Sequence, residues 1–312
     1  MFKSKFKKRV LFVGMPDMAY ICLEGLKHEG VNIVGVIGAK KNHPTYLNFK
    51  NFVNQHQLNF LEYDNLDDKE FIERIQALKP DIAVVCSFNY KIPKVLLELV
   101  KEGFINIHPS ILPKYRGPNP YSAVIINKEA ETGVTLHFMD DGFDTGDIIV
   151  QKIVPILPIE TMGTLFNRLN VIAFDLLLET LKKYESEQLP RKKQPQGIFE
   201  VAPIFPESAL FINYEKPAIE ANNLIRALNP FILARTNFRN NLVKILSADI
   251  LEEDFSHIGS IGEIVKIEDD KFYVATGKGL LAPTSMQFGS FFVGTSKEFI
   301  KILDPKIGEK FS

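Results

Sequence analysis

Residues 81–108 read DIAVVCSFNYKIPKVLLELVKEGFINIH, and their pattern decides the class of fold. DIAVVCSF is apolar almost without interruption, as a strand covered on both faces must be. PKVLLELVKEG carries apolar residues at helical spacing behind a proline, which a first helical turn tolerates. FINIH returns to an apolar run. Strand, helix and strand in this order predict parallel neighbours joined by a crossover helix.

The same alternation continues outward. VLFVGM (10–15) and VNIVGVIG (31–38) read as buried strands, and LNFLEY (58–63) as a short one. Between them DMAYICLEGLKHEG (17–30), LNFKNFVNQHQ (47–57) and DDKEFIERIQALKP (67–80) have helical spacing. Beyond Pro120 come a helix-like YSAVIINKEA (121–130), strands GVTLHFM (133–139) and IIVQKIVPI (148–156), and a helix over about 161–184. The class is α/β, with a mostly parallel sheet and helices on both faces. Residues 185–206, ESEQLPRKKQPQGIFEVAPIFP, are proline-rich and aperiodic, which predicts a linker. After it a helix (216–229) and short glycine-punctuated strands near 242–250, 259–267, 271–277 and 279–288 predict a small barrel or sandwich. The expected division is therefore 1–184, a linker over 185–206, and 207–312.

A chain of 312 residues, 46% hydrophobic and 24% charged, has the composition of a globular protein rather than a disordered one. Its net charge of -1 offers a polyanion no strong overall attraction. Cys22 and Cys86 sit in apolar segments and read as core thiols in a reducing compartment. The opening MFKSKFKKRV is basic, but the apolar run behind it is too short for a signal peptide, and no stretch has the ~20 apolar residues of a membrane helix. A cytoplasmic location is expected.

In an open parallel sheet, ligands collect outside the carboxyl ends of the strands. FINIH brings Asn106 and His108 to such an end, and strand alternation gives them one shared face while Ile105 and Ile107 take the other. Pro109, Pro113, Pro118 and Pro120 then stiffen the exit loop. A second polar cluster lies in DDGFDTGD, with Asp140, Asp141, Asp144 and Asp147. An EF-hand does not fit it, because the spacing is wrong and no Glu stands at the twelfth position. A carboxylate reaching His108 would fix its tautomer and favour its charged form. Asn, His and Asp together suit a carbonyl oxygen becoming an oxyanion and an amine losing its proton. The first loop, VGMPDMA (13–19), holds one glycine, and Met15-Pro16 would obstruct a pyrophosphate turn, so a dinucleotide is not expected. Met15 and Pro16 instead face the same crevice as a wall. No metal-ligand cluster is evident.

The motifs Asn106-Ile-His108-Pro-Ser110, Leu112-Pro113, Arg116-Gly117, Glu131-Thr-Gly-Val-Thr135 and Asp144-Thr-Gly-Asp147 resemble those of the 10-formyltetrahydrofolate-dependent formyltransferases. The likeness extends to VGMPDMA and to Leu228-Asn229-Pro230, the start of a C-terminal OB-like domain in one branch of that family. It implies a Rossmann-like catalytic domain, with Asn106, His108 and Asp144 as the catalytic trio and 10-formyltetrahydrofolate as formyl donor. It also implies a pterin pocket between Phe88, Asn89, Tyr90 and Ile92 on one side and Met139, Asp140, Asp141 and Gly142 on the other. Ser110, Arg116 and Gly117 fall at the acceptor site. Asn119, with Tyr121, either lines that site or caps the following helix. In the implied chemistry Asn106 and a protonated His108 hold the oxyanion, while Asp144 orients His108 and helps move the amine's proton.

The amine is less legible. The stretch GAKKNHPTYLNFKN is short and carries only Lys40, Lys41 and Lys50, where the tRNA-formylating branch has a longer basic loop. From residue 206 onward 12 Lys and Arg face 14 Asp and Glu, a poor surface for phosphate. Both observations lean toward a nucleotide-linked amino sugar as acceptor. Initiator methionyl-tRNA is the alternative, and a hydrolase using water is a third reading. A non-catalytic binder is disfavoured by the intact trio.

Overall fold

The computed structural model describes residues 6–16, 18–251, 259–290 and 292–312. Residues 1–5 of the basic opening and Asp17 of the first loop lie outside them. The chain forms two compact units, the first from residues up to 120 with 131–154 and 167–201, the second from 121–130, 155–166 and 202–312.

The first unit is built on strands β1 (Arg9–Gly14), β2 (Asn32–Ile37), β3 (Phe60–Leu61), β4 (Ile82–Cys86), β5 (Phe104–His108), β6 (Glu131–Phe138) and β7 (Ile148–Pro155). Their order in the sheet is β3-β2-β1-β4-β5-β6-β7. Pairs from β3 through β5 are parallel, and β6 turns antiparallel against β5. Helices α1 (Met18–His28), α2 (Tyr46–Gln55), α3 (Lys69–Ala77) and α4 (Lys94–Leu99) make the crossovers, α6 (Met162–Tyr184) follows β7, and α5 (Pro120–Ile126), which follows β5, falls almost wholly in the second unit. Every residue of β4 is buried, as its unbroken apolar run requires. Leu11, Val13, Ala83, Val85 and Phe104 pack with Phe71 and Ile75 of α3 into one core cluster. The Rossmann-like expectation holds.

The second unit is antiparallel and β-rich. Its strands β8 (Ala234–Phe238), β9 (Asn241–Leu251), β10 (Ile264–Glu268), β11 (Lys271–Ala275) and β12 (Leu280–Phe288) run in the order β10-β11-β12-β9-β8, with β13 (Phe292–Thr295) added on β12. Helices α7 (Ala218–Leu228) and α8 (Ser296–Leu303) complete it. Phe238, Phe272, Phe299 and Phe311 fill its core, with the rings of Phe272 and Phe311 stacked at 5.7 Å. Thr295 and Glu298 form a reciprocal capping box that starts α8. This matches the expected OB-like unit and adds β8, β13 and α8, which the sequence pattern did not announce. Among the described residues no helix is long and apolar enough to cross a membrane.

Candidate active site

β5 presents Asn106 and His108 from one face, as alternation demands. Because β6 runs antiparallel beside it, His137 stands opposite Asn106 and Thr135 opposite His108. The loop after β5 is fastened from below by Thr135, whose hydroxyl donates to Ser110 O at 2.6 Å and accepts from Leu112 N at 3.2 Å. Gln151 of β7 donates to Leu112 O and to Thr135 Oγ1, each at 2.9 Å. Tyr115 has a left-handed backbone (φ 61) and aims its carbonyl at His108, 2.8 Å from Nε2. A carbonyl only accepts, so Nε2 carries the proton and Nδ1 faces the site.

Asp144 arrives from the loop between β6 and β7, also with left-handed backbone (φ 54). Its Oδ1 accepts from Asn106 Nδ2 at 3.2 Å and its Oδ2 from Gly117 N at 3.0 Å. Oδ2 lies 3.5 Å from His108 Nδ1, and Oδ1 lies 3.5 Å from His137 Nε2. His137 Nδ1 is 2.8 Å from Phe138 O and donates to it, which leaves Nε2 to accept from Asn106 Nδ2 at 3.1 Å. Both amide hydrogens of Asn106 are thus engaged. Gly146 makes the loop possible, because a Cβ there would sit 1.9 Å from Phe138 O. The three residues expected to act together therefore meet around one carboxylate.

The chain matches the formyl transferase family model over residues 8–181, and the formyl transferase C-terminal domain over 206–303. It belongs to the formyl transferase family. A methionyl-tRNA formyltransferase of Clostridioides difficile is 35% identical over 89% of this chain and 92% of its own length. One from Alkaliphilus oremlandii is 34% identical over 90% and 92%. Among solved structures, the N-formyltransferase of Helicobacter canadensis in complex with folinic acid and dTDP-3-aminofucose superposes with a TM-score of 0.67 at 23% identity, covering 89% of this chain and 98% of that one.

The electrostatics of this formyl transferase site follow from burial. His108 is 4% exposed. Desolvation lowers its pKa, and the attraction of Asp144 and the Tyr115 carbonyl recover only part of that. Asp144 is pushed up by burial, but its hydrogen-bonded surroundings, the Gly117 amide among them, more than reverse this and hold it below the usual carboxylate range. Burial therefore favours the neutral form of His108, while the surroundings of Asp144 favour its ionised form.

The remaining expected residues divide. Phe88, Tyr90 and Met139 are partly buried at the margin of the cluster that contains Ile92, and the rings of Phe88 and Tyr90 meet edge to face at 5.4 Å. Asn89, Asp141 and Gly142 are exposed. Asp140 Oδ1 accepts from Gly142 N and Thr145 Oγ1, so its carboxylate shapes its own loop. Met15 is buried, with its N–H on Cys86 O, and Pro16 is half-buried beside it. Ser110 is fully buried and donates to Lys114 O at 2.7 Å, which leaves no exposed atom to meet a substrate. Arg116 donates to Gln194, and Asn119 is half-buried. His137, Tyr115 and Gln194 were not anticipated. Alternation in GVTLHFM does place His137 and Thr135 on one face, but only the antiparallel pairing turns that face toward Asn106.

Proposed function

We propose that the chain moves the formyl group of 10-formyltetrahydrofolate to the amino group of methionine carried on initiator tRNA. The observation that carries this acceptor is likeness along nine-tenths of the chain, spanning both matched domains, to proteins named methionyl-tRNA formyltransferase. It outweighs the short stretch after β2 and the slightly acidic balance beyond residue 206, which had pointed to an amino sugar. The sugar N-formyltransferase shares the fold at an identity too low to bring its acceptor across. A cytoplasmic location belongs to the same reading, since charged tRNA is the substrate.

The margin formed by Phe88, Tyr90, Ile92 and Met139 fits the donor's pterin, a flat ring with one apolar face and a polar edge. Bound there, the donor supplies the activated formyl carbon. His108, neutral at rest with a lone pair on Nδ1, takes the proton released as the amine bonds to the formyl carbon and returns it to N10 of the donor as the C–N10 bond breaks, so that tetrahydrofolate leaves and the formylated amine remains. The imidazolium so formed lies against Asp144, which stabilises it in a poorly hydrated site. Asn106 holds the carboxylate and helps stabilise the oxyanion by turning one hydrogen from His137 or Asp144 toward it.

The test supplies purified protein and 10-formyltetrahydrofolate with methionyl-tRNA, with a panel of nucleotide amino sugars, or with no amine. Formylated methionyl-tRNA is the expected product. Formylation of an amino sugar alone would overturn the acceptor, and donor turnover of equal rate without any amine would establish the hydrolase instead.

A further inference from the structure

Gln194 sits in the proline-rich stretch that the sequence presents as a spacer, yet its side chain is fully engaged. Nε2 donates to Asp144 O and to Gly146 O, each at 2.8 Å. Oε1 accepts from Arg116 Nη2 at 2.6 Å and from Arg116 Nε at 3.2 Å. The orientation has no alternative, because carbonyls only accept and a guanidinium only donates. One amide therefore ties the Asp144 loop and the Arg116 loop to a third segment.

The backbone on either side grips the same two loops. Ile148 and Lys192 exchange hydrogen bonds of 2.8 and 2.9 Å just past the Asp144 loop. Tyr115 N donates to Glu200 O at 2.6 Å, and Arg116 pairs with Val201. Tyr115 is the residue whose carbonyl holds His108. Asp144 adopts a left-handed backbone that a non-glycine residue keeps only where its surroundings over-determine it. Gln194 binds the carbonyl of that same residue.

We propose that Gln194 is a positioning residue for formyl transfer, holding the Asp144 backbone and so the 3.5 Å separation between its carboxylate and His108. The inference rests on the reading of Asn106, His108 and Asp144 as the reacting groups. Residues 192–201 are then part of the site rather than a passive connection.

Full-length Gln194→Ala and Gln194→Glu test this beside the wild type. The glutamate keeps an acceptor for Arg116 but sets a carboxylate oxygen against the carbonyls of Asp144 and Gly146. Three measurements are made: thermal unfolding, steady-state formylation of methionyl-tRNA, and the NMR titration of His108, assigned with His108→Gln. A misplacement of about 1 Å costs ~10²-fold, so kcat should fall by that order while the KM values stay within about threefold. The His108 midpoint should move in both variants. A bracing role alone would shift the melting temperature and leave kcat per folded enzyme and the His108 midpoint unchanged; that result overturns the proposal. If Gln194→Glu does not fold, Gln194→Ala decides on the same measurements. If the wild type formylates no methionyl-tRNA, the acceptor reading fails separately. The His108 titration needs no substrate, so a displaced midpoint still supports the positioning role and an unmoved one still overturns it.

Discussion

Asp144→Asn changes one charge and almost no volume. Asp144 Oδ2 lies 3.5 Å from His108 Nδ1, and its side chain is 17% exposed. Two unit charges at that separation interact by about 5 kcal/mol at an effective dielectric of 20, and access of water trims this to ~4 kcal/mol. At about 1.4 kcal/mol per decade, losing it when the imidazolium forms slows the step ~10³-fold. The asparagine also turns an N–H toward Gly117 N or Asn106 Nδ2, both donors, so the neighbouring loop loses an anchor as well. The assay is steady-state formylation of methionyl-tRNA, with circular dichroism confirming a wild-type fold. The fall should appear in kcat, with the donor and acceptor KM values nearly unchanged, because the charge acts only after the amine has attacked. A reduction of less than tenfold in a folded variant would refute the role of the carboxylate.

Four further outcomes follow from the same geometry. Catalysis needs neutral His108, whose pKa burial holds below 6.5, so kcat/KM should stay flat above that pH and fall only below it. Stability has the same sign: the unfolded chain binds near pH 6.5 a proton the folded imidazole refuses, so the urea midpoint should drop as pH falls from 6.5 toward the folded value, and His108→Gln should abolish that dependence. Gly146→Ala drives a methyl group into Phe138 O and should cost about 2 kcal/mol or more in urea unfolding, with loss of turnover. Ser110→Ala removes a buried hydrogen bond and should cost ~1 kcal/mol while leaving both KM values unchanged; a raised KM at unchanged stability would return Ser110 to the acceptor site.

The catalytic unit was largely legible because its strands are buried on both faces, and burial leaves an unbroken apolar run that no polar alternation blurs. Asn106 and His108 were legible because a period of two puts them together whatever the strand meets. Asp144 needed the family's motif as well, since nothing local distinguishes it from Asp140 or Asp141. What stayed hidden depends on partners distant in sequence. His137 acquires its place only when β6 is known to run antiparallel to β5. Tyr115 acts through its backbone, which its side chain does not advertise. Gln194 lies in an aperiodic, proline-broken stretch, where neither helical nor strand spacing can flag a side chain.

The engagement of residues 192–201 has a practical consequence for anyone dissecting this protein. A fragment ending near residue 184, where the composition invites a cut, would retain Asn106, His108, His137 and Asp144. It would lack the buckle that closes over Tyr115, Arg116 and the carbonyls of 144 and 146. Such a fragment should be inert, and its silence would be wrongly credited to the missing β-rich half. Ending it at residue 201 instead keeps the buckle, and only then does the comparison isolate what the second half contributes.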